Sequence, residues 1–412
     1  MSSSFGAPAP GARLRTLAGL ADYACAHTGS CCRAGWPIPI ESTLLDRLRD
    51  ADAGGRLTAL SGGTWEEHGI LCHTPESTCV FHEIATGRPG CRLEIEVGAA
   101  GLPHSCRQFP RILLRDSSGW HLSLSAWCGT AARLIASGQT VTHRSPPDLD
   151  YGATFLSFAH ISVSPRVHVE GLDAHDAWPP LLRPGVLAGH DAYAQWEEGL
   201  LTRYLGRGEA TLARRLADAI DWTERVRNWR PEGLALSALI AETTEGHLSD
   251  DTRIWHMPDS VDPEGVLRAL MNYVPPDWRV ADWPHGLIDA DLAGHCLTAA
   301  DVEASLARYL GTRLMASWVA YQGQGLRSVL ASLVSAYALA VLALSRTGTG
   351  GVTFGRMTSA LRASDWLLLH LLDREQWAEW CVQYESPRGE ERLLGTVATT
   401  DNLLRSLSFA PA

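Results

Sequence analysis

The sequence contains no lysine; all 35 of its cationic residues are arginine. That absence excludes a P-loop lysine, a Schiff-base lysine and a lysine serving as general base. Alongside abundant Ala, Gly and Arg, it reads as codon bias in a GC-rich genome. Positive charge is also in the minority, with a formal net charge of -11 and an isoelectric point near 5.8. Phosphate binding needs clustered cations and no basic stripe is present, so nucleic acid is not an expected partner. The N-terminal stretch has no uninterrupted apolar core of the kind a secretory signal requires. A cytoplasmic protein with reduced thiols is therefore expected.

Long apolar runs are scarce too. Only "SVLASLVSAYALAVLALS", Ser328 to Ser345, extends over eighteen residues without a charge. It is borderline in length for a membrane span, is diluted by four serines and has no companion, so it predicts a buried central helix and no membrane association. The remaining composition, 45% hydrophobic and 20% charged over 412 residues, suits a soluble globular chain of two domains with a sizeable core.

What the sequence does have is cysteine, unevenly placed. Eight of the ten fall between Cys25 and Cys128: Cys25, Cys31, Cys32, Cys72, Cys79, Cys91, Cys106 and Cys128. Cys296 and Cys381 stand alone in helical surroundings and read as core-filling. Adjacent Cys31 and Cys32 cannot bridge each other without strain, and a disulfide framework would want a secreted context. A chance concentration of small buried residues is the bland alternative. Metal ligation accounts better for such density, because four thiolates complete a tetrahedral zinc site or the corners of an iron-sulfur cluster.

The segments around these thiols look short and irregular. "CRLEIEV", Cys91 to Val97, alternates apolar and charged residues and predicts a half-buried strand with Cys91, Leu93, Ile95 and Val97 inward. "WHLSLSAWC", Trp120 to Cys128, alternates likewise, with Leu122, Leu124 and Ala126 on one face. Pro103 and Pro110 predict irregular backbone around Cys106. His27, His73, His82 and His104 each lie within three residues of a cysteine and read mainly as surface groups or as partners that orient ligands. Arg33, Arg107 and Arg111 would offset thiolate charge. Trp36 is expected to pack against the cysteine side of the domain.

Taken together, the blocks "CCRAGWPIPIE", "CVFHE" at Cys79, "GCRLEI" at Cys91, "SCRQFPR" at Cys106 and "LSLSAWCGTAARL" around Cys128 resemble the flagellin lysine-N-methylase family. That family sits within the broader cysteine-cluster proteins described as zinc- or iron-chelating. The resemblance covers roughly residues 20 to 135. It implies an iron-sulfur cluster, of the 4Fe-4S type or with zinc as the alternative, S-adenosylmethionine as methyl donor, and lysine side chains of a flagellin-like protein as acceptors. Carried over to this sequence, the implied ligands are Cys25, Cys31, Cys32, Cys79, Cys91, Cys106 and Cys128. The family has a further thiol ahead of the Cys-Cys pair; here His27 lies in that stretch, and Cys72 is an extra thiol outside the pattern.

The methyl donor has no conventional site in this sequence. A glycine-rich loop after a strand in an alternating α/β pattern is missing, and "TGTGGVTFG", Thr347 to Gly355, follows the long apolar helix and reads as a helix end and loop. The Cys-x3-Cys-x2-Cys spacing of radical S-adenosylmethionine enzymes is absent as well. No catalytic residue or donor pocket is assigned from sequence.

The rest of the chain reads as helical. "GTAARLIASGQ" predicts a short helix after Cys128, Thr142 to Asp150 a linker, and "HISVSPRVHVEG" a short β-like piece. Leu212, Leu216 and Ile220 recur at four-residue spacing, as do Val302, Leu306, Leu310, Leu314 and Trp318, the latter set opened by a capping box of Thr298 and Asp301. Ser364 to Cys381 predicts one more apolar helix, and the Trp- and Pro-rich stretch from His247 to Asp291 an irregular cover over a cleft. The expected architecture is mainly α: an irregular, cysteine-rich, metal-binding N-terminal domain with short β-strands over residues 1–141, then an α-helical C-terminal domain over 151–412. The expected function is S-adenosylmethionine- and iron-sulfur-dependent methylation of lysine on a protein. The alternative is a non-catalytic zinc- or iron-sulfur-binding protein for structure, storage or sensing.

Overall fold

The uncharged run from Ser328 to Ser345 lies within a single helix, Leu326–Arg346, and 94% of it is buried. A helix apolar on all sides has no face to offer water, and its many Ala and Ser residues let neighbouring helices approach its backbone closely. This is a computed structural model, described for residues 4–9, 11–26, 28–29, 31–83, 90–138, 155–162, 171–175, 178–206, 208–244, 261–276, 283–284 and 296–411. Helices hold 54% and strands 13% of what is described, so the chain is mainly α.

Helices Leu212–Arg227, Pro263–Met271, Ala299–Leu314, Phe354–Asp365, Arg374–Val382 and Gly389–Arg405 surround the central one. Two of its serines meet side chains around it: Trp380 Nε1 donates to Ser335 Oγ at 3.0 Å, and Ser328 Oγ donates to Glu385 at 3.1 Å. A buried ion network closes one end, where Glu224 takes Arg327 Nη2 at 2.6 Å and Glu385 takes Arg227 Nη2 at 2.6 Å. Such charges stay buried only because each is paired and hydrogen-bonded. The capping box at Thr298 and Asp301 forms as the sequence predicts. The helix it opens ends at Leu314, however, and Trp318 lies beyond it, donating to the Leu113 carbonyl at 2.9 Å.

Against this body lies a six-stranded mixed sheet in the order Ser4–Gly6, Gly171–Asp173, Arg111–Asp116, Gly119–Leu124, Arg13–Leu17, Phe158–Ser162. It draws strands from both sides of the boundary expected near residues 141–151; the linker expected over 142–150 lies outside the described residues. Strand Gly119–Leu124 buries both faces, His121 and Ser123 as well as Leu122 and Leu124. Helix Gly129–Ser137 follows it directly, as expected.

Residues 31–108 form a lobe with its own apolar core of Ile38, Leu44, Leu48, Leu57, Trp65, Phe81 and Leu93. Its elements are short: helices Ser42–Ala51, Arg56–Ser61, Arg92–Val97 and His104–Gln108, and two-residue hairpin strands. The strand expected over Cys91–Val97 is a helix instead. Leu93 and Val97, four residues apart, face inward while Ile95 is 77% exposed, which is the helical reading of the same alternating pattern. The backbone around Cys106 is likewise a helical turn and not irregular.

Two further expectations are corrected. Ser364 to Cys381 is not one helix: a π-type turn over Trp366–Leu371 ends the first, and Asp373 opens the second with a capping box to Gln376. Within the stretch expected to be irregular, Pro263–Met271 is a helix capped by Asp262, and most of the remainder lies outside the described residues. Cys381 is buried as expected, whereas Cys296 is exposed.

Leu339, fully buried on the central helix, supplies a direct test of this architecture. Leu339→Ala should lower unfolding free energy by about 3 kcal/mol through lost burial and the cavity it leaves. Trp178→Ala, at a residue 61% exposed, should change it by less than about 0.5 kcal/mol in the same denaturant titration.

Candidate metal centre and adjoining cleft

Five of the seven cysteines implicated by the sequence line one small cavity of about 20 Å³: Cys31, Cys32, Cys79, Cys91 and Cys106. Each arrives on a different piece of local structure. Cys31 and Cys32 form a single 3-10 turn, Cys91 ends a hairpin strand and precedes helix Arg92–Val97, and Cys106 sits within helix His104–Gln108. Cys79 is held to that turn by its backbone amide, which donates to the Cys32 carbonyl at 2.7 Å. Ile38, Leu71, Phe81, Leu93 and Leu102 complete the wall, so the sulfurs face an apolar interior.

All ten cysteines are free thiols. The Cys31 and Cys32 sulfurs lie 3.9 Å apart. That contact and burial push Cys32 up, while the same contact draws Cys31 down. Burial raises Cys79 and Cys106 and pushes Cys91 up to about 12. Desolvation thus favours the neutral thiol at Cys32, Cys79, Cys91 and Cys106.

The other two implicated cysteines are placed elsewhere. Cys128 is buried with its sulfur 3.4 Å from the Tyr23 hydroxyl, and Cys25 is exposed beside the same tyrosine. Cys72 is half-buried near Cys79 and does not line the cavity. Cys25 and Cys128 therefore do not line that cavity, although Cys128 lies near enough to Cys31 to feel its charge, and among the described residues no group of three or more His, Cys, Asp or Glu side chains is arranged to hold a metal ion. His27 lies outside the described residues. His82 pairs in register with Cys91, and both its ring nitrogens are buried without a hydrogen-bond partner. Arg92, which the sequence did not single out, is a cation that acts on Cys79 and draws it down. Arg107 instead faces Glu41, and Arg111 lies over the Tyr23 ring.

Through Trp36, Ser105 and Phe109 the thiol cavity shares a wall with a much larger cleft of about 720 Å³. Trp36 packs against the cysteine side, as expected, and also against Trp366 and His370 on the helical body, with ring centroids 6.0 and 4.9 Å away. The cleft is bounded by the cysteine lobe on one side and by segments 312–319 and 368–377 on the other. Arg111, Arg313 and Arg374 line it together with a single carboxylate, Asp373, so the net negative charge of the chain is not expressed there.

No family model matches the chain. Nor does any curated protein or solved structure match it.

At the floor of the cleft, Ser125 Oγ lies 3.0 Å from His370 Nε2 and donates to Asp365 at 3.2 Å. Asp365 also accepts from the Ala126 amide, from Tyr309 Oη at 2.9 Å and from Arg313 Nη1 at 3.3 Å. Burial pushes the Asp365 carboxyl up, and Arg313 and these donors oppose it. None of these residues was singled out from sequence. They come from three distant segments, and only the fold brings them together.

His370 falls to about 3, first because it is buried and then because Arg313 is near. In the native state it is neutral where the unfolded imidazole would charge, so the unfolded chain takes up a proton as pH falls from 6.5 towards 3 and stability is lost across that window. Denaturant titrations at about pH 7.5 and about pH 4.5 should show a smaller acid loss for His370→Gln than for the unsubstituted protein. Equal losses would place the titrating group elsewhere.

Proposed function

We propose that the five-thiol cavity holds a metal centre, an iron-sulfur cluster in the leading reading, and that the adjoining cleft is where a methyl group passes from S-adenosylmethionine to a lysine side chain of a protein. The observation that carries this reading is the wall of Trp36, Ser105 and Phe109 common to the cavity and the cleft. Donor chemistry fits as well. Thiols in an apolar pocket suit soft or borderline metals, and a bound ion would let these neutral groups ionise. Cys31, Cys32, Cys79, Cys91 and Cys106 would hold it. Such a centre would supply stability to a lobe with few long elements.

The chain's own residues then account for the rest. An amine is nucleophilic only when unprotonated, and Arg111 and Arg374 around the cleft disfavour the ammonium form of a lysine entering it. The amine lone pair attacks the methyl carbon, the carbon–sulfur bond breaks, and its electron pair stays on sulfur as a neutral thioether. The methylated ammonium then gives up a proton. Trp36, Phe109, Trp318 and Trp377 supply apolar surface that excludes water and favours a cationic sulfonium over bulk solvent. A flagellin-like acceptor and a cytoplasmic setting, where thiols stay reduced, complete the reading implied by the cysteine blocks.

One observation favours a second reading. Thiolates around tetrahedral zinc, with bonds of about 2.3 Å, lie about 3.8 Å apart, and Cys31 and Cys32 are separated by 3.9 Å. A closed zinc site would be structural and need no methyl donor.

Anaerobically purified protein, incubated with methyl-labelled S-adenosylmethionine and flagellin, should transfer label to lysine. Cys79→Ser and Cys106→Ser should abolish both bound metal and transfer, and Cys296→Ser and Cys381→Ser should leave both in place. Stoichiometric zinc without transfer would favour the structural reading. Unchanged metal content in the Cys79 and Cys106 variants would contradict both.

A further inference from the structure

Arg313 is the strongest unexplained feature of the cleft. Its side chain is 6% exposed and lines the cleft from helix Ala299–Leu314. Nη1 meets Asp365, but Nε is buried and has no hydrogen-bond partner. Asp365 cannot supply that partner freely, since its two oxygens already accept from Ala126, Ser125 and Tyr309. The carboxylate therefore neutralises and orients the guanidinium without saturating it. A buried donor left unmade is costly, and the fork of a guanidinium matches a planar carboxylate through two parallel hydrogen bonds.

Aromatic rings line the same cleft. Trp36 and Phe109 lie with centroids 5.5 Å apart on the cysteine side, and Trp318 and Trp377 on the helical side. These rings give the cleft aromatic, apolar walls, and Arg313 suits an anionic group of a ligand held between them. We infer that Arg313 is the carboxylate anchor of this cleft, binding the amino-acid carboxylate of an aromatic, carboxylate-bearing ligand. The identity of that ligand as S-adenosylmethionine rests on the function proposed above.

Calorimetric titration with S-adenosylmethionine and with its decarboxylated analogue separates the two claims, because the comparison needs no turnover. The unsubstituted protein should bind the carboxylate-bearing donor about tenfold to a hundredfold more tightly, the range expected for hydrogen bonds to a charged group. Arg313→Gln should erase that preference while leaving affinity for the decarboxylated analogue unchanged, and Arg111→Gln and Arg374→Gln should retain it. Binding of both ligands with equal affinity by the unsubstituted protein would overturn the inference and leave the donor reading standing, as would a preference that disappears with Arg111 or Arg374 instead. Binding of neither would overturn both. Should the Arg313 variant fail to fold by circular dichroism, the comparison of the two ligands on the unsubstituted protein and the two control variants still decides the matter.

Discussion

A single buried carboxylate joins the parts of this molecule. Asp365, fully removed from water at the end of helix Phe354–Asp365, gathers hydrogen bonds from the backbone at Ala126, from Ser125, from Tyr309 and from Arg313. Those partners belong to the segment that leads out of the sheet towards Cys128 and to helix Ala299–Leu314. A carboxylate taken out of water is tolerated only when it is saturated in this way, and removing a partner would leave a buried charge exposed to its full desolvation cost. Asp365 therefore fixes where the sheet, the helical body and the floor of the cleft stand relative to one another.

The character of the cleft follows from that arrangement. Arg313 is held at the wall because Asp365 lies behind it, and His370 stays neutral because burial and Arg313 both oppose its protonation. Across the opening, Trp36 spans the two sides, packing on His370 and Trp366 while also lining the thiol cavity. Ser105 and Phe109 complete the wall that the two hollows share. That shared wall is the basis for proposing that the thiols and the cleft act as one functional unit.

Much of this was legible in the sequence where the signal is local or strongly biased. The uncharged run at Ser328 to Ser345 could only be a buried helix or a span, and the Thr298–Asp301 capping box announced its helix by two short-range hydrogen bonds. The concentration of cysteine also marked out a lobe in which five of the thiols share a cavity. Failures occurred where one pattern serves two geometries. Cys91 to Val97 alternates like a strand, yet Leu93 and Val97 alone satisfy a helical stripe, and only tertiary packing chose between them. The break at Asp373 was present as a capping signature, Asp373 with Gln376, but was masked by the apolar run before it. The cleft was beyond reach of any local rule, since Ser125, Arg313, Asp365 and His370 are separated by up to 245 residues and become neighbours only through the fold.

Cys25 and Cys128 do not line the cavity shared by the other five, so the proposed centre uses fewer sulfurs than the sequence implied. That set is the centre of the account, and X-ray absorption on anaerobically purified protein, at the iron and zinc edges, interrogates it without assuming any activity. The account predicts a bound metal whose nearest neighbours are sulfur, at about 2.3 Å as for metal–thiolate bonds, with the signal lost when Cys79 and Cys106 are both replaced by serine. A protein that carries no metal, or a metal coordinated only by nitrogen and oxygen, would contradict it.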